Sequence, residues 1–427
     1  MATIAGAIIV IGAVYCLIKQ YESRMVLFLA GMIMCLLVLS PMQGFNALSK
    51  SIAGAKVIET IAGSMAFAFV MQYTKCDQHL VHLLSNILKK AGPAFLIPGG
   101  VLVTAFVHIS VPSAAGCAAS VGPVLVPILI GSGVAPVMAG SILFCGTFGA
   151  TMMNPGFHQI AVVSDATGVA PAAIVGNHFW VVAAAAVAVI VVETAVAYYL
   201  KEHKGYVKPV VEGEEVKEEE FQVSIIKALT PLLPLTLIIL GSMNIIPALK
   251  ALRIIHCMII GVIALCLVTK TNPAKISTAY WQGFGKGFAD IYGIIICSAV
   301  FVAGIKATGL LKIMLSAMAS NPSIAQITGA LGPFLLAIVC GSGDAASVAF
   351  NQSVTPHAAE FGMIPINLGA LAAFTGCLGR TMSPIAGCAF VCMGLSGTND
   401  PIAFTKRNAP AMIAGLIVAT IGFMMLG

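Results

Sequence analysis

Apolar runs of about 20 residues recur along almost the whole chain, and a helix of that length is what a bilayer core of roughly 30 Å requires. Only 9% of the 427 residues are Asp, Glu, Lys or Arg, while 59% are hydrophobic. An average soluble domain carries roughly 25% charged residues, so a soluble enzyme and a disordered protein are both excluded. An outer-membrane barrel would show short alternating segments, which this sequence lacks. The chain therefore reads as an all-α polytopic membrane protein. Its formal net charge of +6 belongs to basic loops, not to a nucleic-acid surface. The 12 cysteines sit mostly in apolar runs without a C-x-x-C pair and read as small buried hydrophobes.

Crossings are predicted at about 3–19, 25–40 and 56–74. The run from Met1 to Ile18 lacks a basic n-region and a clear cleavage site, so it reads as a first transmembrane helix. The polar gap that follows holds Asp77, His79, His82, Lys89 and Lys90, yet places Leu80, Leu83, Leu84 and Leu88 on one face. That is the pattern of an interfacial amphipathic helix. Residues 93–130 are apolar but interrupted by Ser110-Val111-Pro112-Ser113-Ala114-Ala115-Gly116. Each flank is too short to span alone, which predicts a re-entrant hairpin. A broken helix is predicted over 134–165, where Thr151-Met152-Met153-Asn154-Pro155-Gly156 interrupts the run and Pro removes a backbone donor. Residues 174–200 cross again.

Residues 201–222 are the one strongly polar stretch and read as a solvated linker. Crossings resume at about 224–243, 253–269 and 285–304, followed by an interrupted segment at 306–320. A second hairpin is predicted at 323–360, a second broken helix at 365–395 and a last crossing at 409–426.

The two halves repeat. Pro127 matches Pro356 at an offset of 229 residues, the difference between 356 and 127. The same offset pairs Gly100 with Gly329, Ser113 with Ser342, Pro136 with Pro365, Gly140 with Gly369, Met153 with Met382 and Pro155 with Pro384. Residues 1–200 and 223–427 thus read as two copies of one unit, each with five crossings and one hairpin. Five is odd, so the copies lie in opposite orientations. Inverted repeats with paired broken helices characterise secondary transporters, whose site lies near the midplane where the breaks meet.

Lys19, Arg24, Lys75, Lys89, Lys90, the linker, Lys270, Lys275, Lys406 and Arg407 fall on one side. The excess of basic residues there makes it cytoplasmic, although Lys250, Arg253, Lys306 and Lys312 run against the rule. The membrane is expected to be a bacterial cytoplasmic (inner) membrane.

The residues that can carry chemistry cluster at the hairpin tips and the breaks. Ser113, Ala114, Thr151 and Asn154 in the first half, with Ser342, Gly343, Arg380, Thr381 and Ser383 in the second, are the candidate substrate-binding residues. Half-helices that end inside the membrane point free N–H groups and positive dipole ends into the cavity, which suits an anion. Unwound carbonyls suit a cation. Asp344, Gly341 and Thr147 are accordingly the candidate coupling-ion residues, with Na⁺ near Asp344 as one occupant and a proton as the other; no firm metal site and no cofactor are expected. An Arg at membrane depth is costly unless paired or facing a wet cavity, and its planar fork fits a carboxylate. Arg380 therefore either contacts substrate or pairs structurally, with Asp344 as the candidate partner.

Asn351 and Gln352 read as cavity-lining candidates. His158 reads as a hydrogen-bonded packing residue, Glu59 and Asp290 as interfacial partners of Lys56 and Lys286, and Glu193 as a side chain near enough to the linker to reach the interface. His357 and Glu360 read as the outer end of the second hairpin. No P-loop, H-E-x-x-H or G-x-S-x-G occurs, so nothing points to an ATPase, a metal hydrolase or another enzyme.

The stretch Gly341-Ser342-Gly343-Asp344-Ala345, then Leu378-Gly379-Arg380-Thr381-Met382-Ser383-Pro384, closing on Lys406-Arg407, resembles the DcuC-type anaerobic C4-dicarboxylate carriers of the ion transporter superfamily. The resemblance is strongest over about 335–415 and co-linear over the rest. It implies a homodimer with scaffold and transport domains, and elevator-type movement of succinate, fumarate or malate coupled to Na⁺ or H⁺. The resemblance leads one to expect Asn at 344, where this chain has Asp, and Thr151 stands in the first half where Arg380 stands in the second. The leading reading is a secondary active carrier of small organic dianions. A Na⁺/H⁺ antiporter or a carrier of another small organic anion is the alternative, and an anion channel is a further one.

Overall fold

The computed structural model describes residues 2–19, 21–53, 55–91, 93–207, 221–242, 245–320 and 322–426. Most of the polar linker lies outside the described residues. Every regular element among those described is helical. In chain order the first half holds α1 (Ala2–Ile18), α2 (Ser23–Leu37), α3 (Pro41–Ile52), α4 (Ala55–Tyr73), α5 (Cys76–Ala91), α6 (Leu96–Ser110), α7 (Ala114–Gly131), α8 (Pro136–Cys145), α9 (His158–Thr167) and α10 (Pro171–Tyr199). The second half holds α11 (Ile225–Leu229), α12 (Leu233–Ser242), α13 (Ile254–Thr269), α14 (Pro273–Lys286), α15 (Gly293–Ala307), α16 (Leu310–Ser320), α17 (Pro322–Cys340), α18 (Gly343–Ser353), α19 (Pro365–Thr381), α20 (Gly387–Ser396) and α21 (Pro401–Met425).

Among the described residues, six segments are long and apolar enough to cross a membrane: Ala114–Gly131, Pro136–Thr167, Pro171–Tyr199, Ile225–Ser242, Pro273–Ala307 and Pro401–Met425. Shorter apolar helices accompany them. Pro supplies the first turn of α8, α10, α14, α19 and α21, where its missing N–H costs nothing. α9 and α20 stop at Gly168 and Gly397, both left-handed with φ of 72° and 68°. These two helices begin and end at positions separated by the offset read from the prolines.

Two elements were not visible as apolar runs. α3 carries Gln43, Asn46 and Lys50, and α14 carries Lys275, Gln282 and Lys286, so both fall between predicted crossings. α14 runs through a π-helical stretch, Gly287–Tyr292, directly into α15.

Burial separates a core from a periphery. Every residue of α8 from Met138 to Cys145 is buried, as is almost every residue of α19 from Asn367 to Thr381. Helices apolar all round and buried all round belong at the centre of a bundle. α10 instead buries one face, through His178, Val182, Ala185, Val189, Glu193 and Ala197. Its other face exposes Trp180, Val187 and Val191. The hairpins α6–α7 and α17–α18 pack into the core crosswise: α20 of the second half lies on α7, and α9 of the first half lies on α18.

One set of polar contacts ties the linker to an end of the bundle. Ala135 N–H donates to the Glu202 carbonyl and Tyr206 N–H to that of Gly133, each at 2.9 Å. Arg407 grips Glu202, with Nε 2.7 Å from Oε2. Ser224 N–H donates to His79 Nδ1 at 3.2 Å, and the His82 ring stacks on Phe221 with centroids 4.1 Å apart. The α7–α8 turn, both ends of the linker, α5 and the start of α21 therefore share one end.

Candidate functional site

Each hairpin tip is closed by a serine that caps its second helix. Ser113 Oγ accepts from Gly116 N–H, and Ser342 Oγ accepts from Ala345 N–H, both at 3.2 Å. The first helix of each hairpin ends with orphan carbonyls, as all helices do. The breaks satisfy one in each half. Asn154 Nδ2 donates to the Ile109 carbonyl at 2.7 Å, and its Oδ1 accepts from Gly156 N–H at 2.8 Å. Ser383 Oγ donates to the Ile338 carbonyl at 2.6 Å and accepts from Ile385 N–H at 3.4 Å. Donor, acceptor carbonyl and returning N–H all match at the same offset, although one residue is Asn and the other Ser.

The two breaks differ in length. α8 stops at Cys145, and a 3-10 turn at Ala150–Met153 precedes α9. α19 continues to Thr381 before the short gap to α20. Arg380 thus stands in the last turn of a helix, whereas Thr151 sits in the 3-10 turn, 1% exposed with its hydroxyl unpartnered.

Arg380 reaches across to the first break. Its Nη1 donates to Thr147 Oγ1 at 3.3 Å and its Nη2 to the Thr147 carbonyl. Thr381 Oγ1 lies 3.3 Å from the same carbonyl and donates to the Cys377 carbonyl at 2.9 Å. Arginine offers five N–H donors; two go to Thr147. Thr147 is fully buried, and its hydroxyl donates to the Phe144 carbonyl at 2.8 Å. Both of its oxygens thus accept from Arg380.

Asp344, in the first turn of α18, is held by two side chains at the start of α9. Its Oδ1 accepts from His158 Nε2 at 2.7 Å and from Gln159 Nε2 at 2.8 Å. The ion pair expected between Asp344 and Arg380 is not among the described ones. Residue 388, which corresponds to Gln159, makes the related contact in the other direction: Cys388 Sγ donates to the Ala114 carbonyl at 3.4 Å. Each helix that follows a break therefore reaches the other half's hairpin tip. Two N–H donors on Oδ1 compete with a cation there, and no group of three His, Cys, Asp or Glu that could hold a metal occurs among the described residues.

The glycines of the second tip serve close packing. Gly341 has φ of 71°, and a Cβ there would stand 2.9 Å from the Ile385 carbonyl. A Cβ on Gly343 would stand 2.6 Å from the Gly376 carbonyl. Both keep the tip pressed onto α19 and its break.

Several expectations change. Asn351 is buried and donates to the Gly369 carbonyl at 3.2 Å, and Gln352 donates to the Ile295 carbonyl at 3.2 Å; neither lines the tip. Glu59 pairs with Arg253, while the Lys56 side chain lies outside the described residues. Asp290 does pair with Lys286 as expected, at 2.7 Å, and also lies 3.7 Å from Arg24. Glu193 does not reach the interface: it is fully buried in the face of α10. His158 is hydrogen-bonded as expected, but to the aspartate of the site. His108, two residues before the end of α6, is 2% exposed with Nδ1 unpartnered, within electrostatic reach of Arg380, His158 and Asp344. Only its place two residues before Ser110, in an otherwise apolar run, marks it in the sequence.

Outside the crossings, α5 pins the first hairpin. Ser120 Oγ donates to Asp77 Oδ2 at 2.8 Å. Burial pushes the Asp77 carboxyl above the usual carboxylate range, and the Ser120 hydrogen bond offsets part of that shift.

A space of about 20 Å³ adjoins the first tip, bounded by Ser110, Pro112, Asn154 and, across from them, Ser64, Phe67 and Met258. It has room for about one water, so the tip is closed here. A cavity of about 770 Å³ reaches Pro155 of the same break from the other direction, between α9–α10 and α4, α12 and α13. Glu59, Asp165, Lys250 and Arg253 line it. It lies at the start of α10, the end of the bundle opposite the linker.

The model of the DcuC family, described as C4-dicarboxylate anaerobic carrier, matches residues 66–427. A putative uncharacterized transporter of Haemophilus influenzae is 36% identical over 274 residues, which cover 62% of this chain and 98% of that one. The anaerobic C4-dicarboxylate transporter DcuC of Escherichia coli K12 is 23% identical over 451 residues, covering 97% of this chain and 95% of that one. Among solved structures, MtrF of Neisseria gonorrhoeae, described as one of a class of antimetabolite efflux pumps, is similar with a TM-score of 0.62 at 14% identity, over 89% of this chain and 84% of that one. An identity that low carries the fold alone.

Proposed function

This chain belongs to the DcuC family of C4-dicarboxylate anaerobic carriers, and on that premise we propose that it is a secondary active carrier of succinate, fumarate, malate or a close relative, coupled to Na⁺ or H⁺. It is a membrane transporter, not an enzyme. The observation that carries the substrate reading is the clamp of Arg380 on Thr147. It commits two N–H groups to Thr147 and sets the guanidinium within reach of Cys388 and of the charge of Asp344. A carboxylate is the ligand such a fork fits best. Ser113, Ala114, Asn154, Ser342, Gly343, Thr381 and Ser383 frame the same place, and Thr151 lies beneath it.

In this reading residues 1–200 and 223–427 are inverted repeats, an assignment supported by the hydrogen bonds shared by Asn154 and Ser383. The hairpins and broken helices form a transport domain. α1, α2, α12 and α13 form a scaffold that dimerises, and the site moves past it as an elevator. Support for two bodies comes from the large cavity, which separates α9–α10 from α12 and α13. With the basic end placed in the cytoplasm of a bacterial inner membrane, that cavity opens outward.

A second reading, a Na⁺/H⁺ antiporter or a carrier of another small organic anion, is favoured by Asp344, a carboxylate at the hairpin tip held by His158. One assay separates the two. Labelled succinate should enter proteoliposomes preloaded with unlabelled succinate. Absence of uptake by folded protein, with and without Na⁺ and at two pH values, would sink the dicarboxylate reading.

A further inference from the structure

The helix behind the site buries an acid that the substrate reading does not use. Glu193 is fully buried in α10, and neither carboxyl oxygen has a partner stronger than the weak thiol donor of Cys145. An ionised carboxylate cannot be left so in a membrane interior, because nothing there replaces its hydration. Protonation removes that cost. A site of this shape filled for packing alone would do better with an apolar side chain.

Its surroundings connect it to the substrate site. The thiol of Cys145 faces it from the last residue of α8. Two residues further on is Thr147, whose carbonyl and hydroxyl hold Arg380. Towards the basic end, Arg407 of α21 and Glu202 beyond α10 act on it electrostatically. Next to Arg407, Asn408 is fully buried, and its Nδ2 donates to the Thr381 carbonyl at 3.1 Å. The titratable groups on the other helices packed against α10 face the tips or the large cavity instead: His108 of α6, His158 and Asp165 of α9, and Arg380 of α19.

We infer that Glu193 is a proton-binding site, occupied in this conformation, whose proton is exchanged when the break around Thr147 and Arg380 rearranges on substrate binding. The step is a simple ionisation: the carboxyl O–H bond breaks, the proton passes to water at the Glu202–Arg407 end, and the carboxylate left behind is faced by Arg407. The inference rests on the carrier reading only for what drives the exchange.

Two measurements on the full-length protein in lipid test it. Infrared difference spectra taken across a pH titration should contain the C=O band of a protonated carboxyl that is absent from Glu193→Gln. A band unchanged in that variant would overturn the site. In weakly buffered suspension with a pH-indicator dye, addition of succinate should change the bound proton number of the native protein. Glu193→Gln should lose that change while retaining succinate counterflow, in which no net proton movement is required. An equal proton change in the variant would overturn the linkage. If native protein binds no succinate, the carrier reading fails, and the infrared band still decides whether Glu193 holds the proton.

Discussion

Arg380 and Thr147 come from opposite halves of the chain and meet at the centre of the bundle, where the guanidinium of one spans the carbonyl and hydroxyl of the other. The arrangement fixes the fork before any ligand arrives. Arg380→Lys keeps the charge and loses the fork, and Arg380→Ala loses both. A hydrogen bond to a charged group contributes about 1.5–3 kcal/mol. Succinate binding measured by calorimetry should therefore weaken by about tenfold or more in the Lys variant and vanish in the Ala variant, each still folded. Thr147→Val keeps the carbonyl and should cost less than Arg380→Lys.

Asn154 and Ser383 satisfy carbonyls that end α6 and α17. Truncating either to Ala leaves a buried carbonyl without a donor. The expected loss is about 1 kcal/mol for each, within the range of side-chain hydrogen bonds between membrane helices. Thermal unfolding in one detergent should place both variants below the native protein by similar amounts. The Asn154→Ala, Ser383→Ala double variant should be close to additive.

Asp344 is the acid of the site, and its Oδ1 is occupied by His158 and Gln159. Asp344→Asn keeps the shape and removes the charge. Counterflow of succinate should persist, and its dependence on Na⁺ and pH should change. Counterflow with an ion dependence identical to that of the native protein would remove Asp344 from coupling.

Asp77 gives a pH signature outside the crossings. Burial, the largest cause, raises its carboxyl in the folded state above the unfolded value, with Ser120 working against it. The folded state then binds the proton more tightly than the unfolded one. Stability should rise as pH falls through the raised value and level off below the unfolded one. Asp77→Asn keeps a partner for Ser120 without the charge. Its melting temperature should equal or exceed that of the native protein at neutral pH, and its rise on acidification should be smaller.

The offset between the halves could be read from Pro127, Pro136, Pro155 and their partners, because breaks and tight helix starts require particular residues locally. The identical limits of α9 and α20 follow from that. α3 and α14 stayed hidden, since Asn46, Lys50 and Lys275 interrupt the apolar pattern by which crossings are found. His158 and Asp344 lie 186 residues apart in the chain, and no local pattern encodes a contact of that range. Glu193 was misplaced for a related reason. Its nearness to the linker predicts a side chain that reaches the interface, but the Arg407–Glu202 pair closes that end of the bundle from α21.

The crossed packing of α20 on α7 and of α9 on α18 has a consequence for how the protein is made. When the ribosome has finished the first half, the first hairpin has no α20 to close it, and α9 has no α18 to rest on. In the proposed site neither half is complete on its own, so a chain cut at the linker should insert in the membrane without acquiring any part of the activity until the other half is supplied in trans.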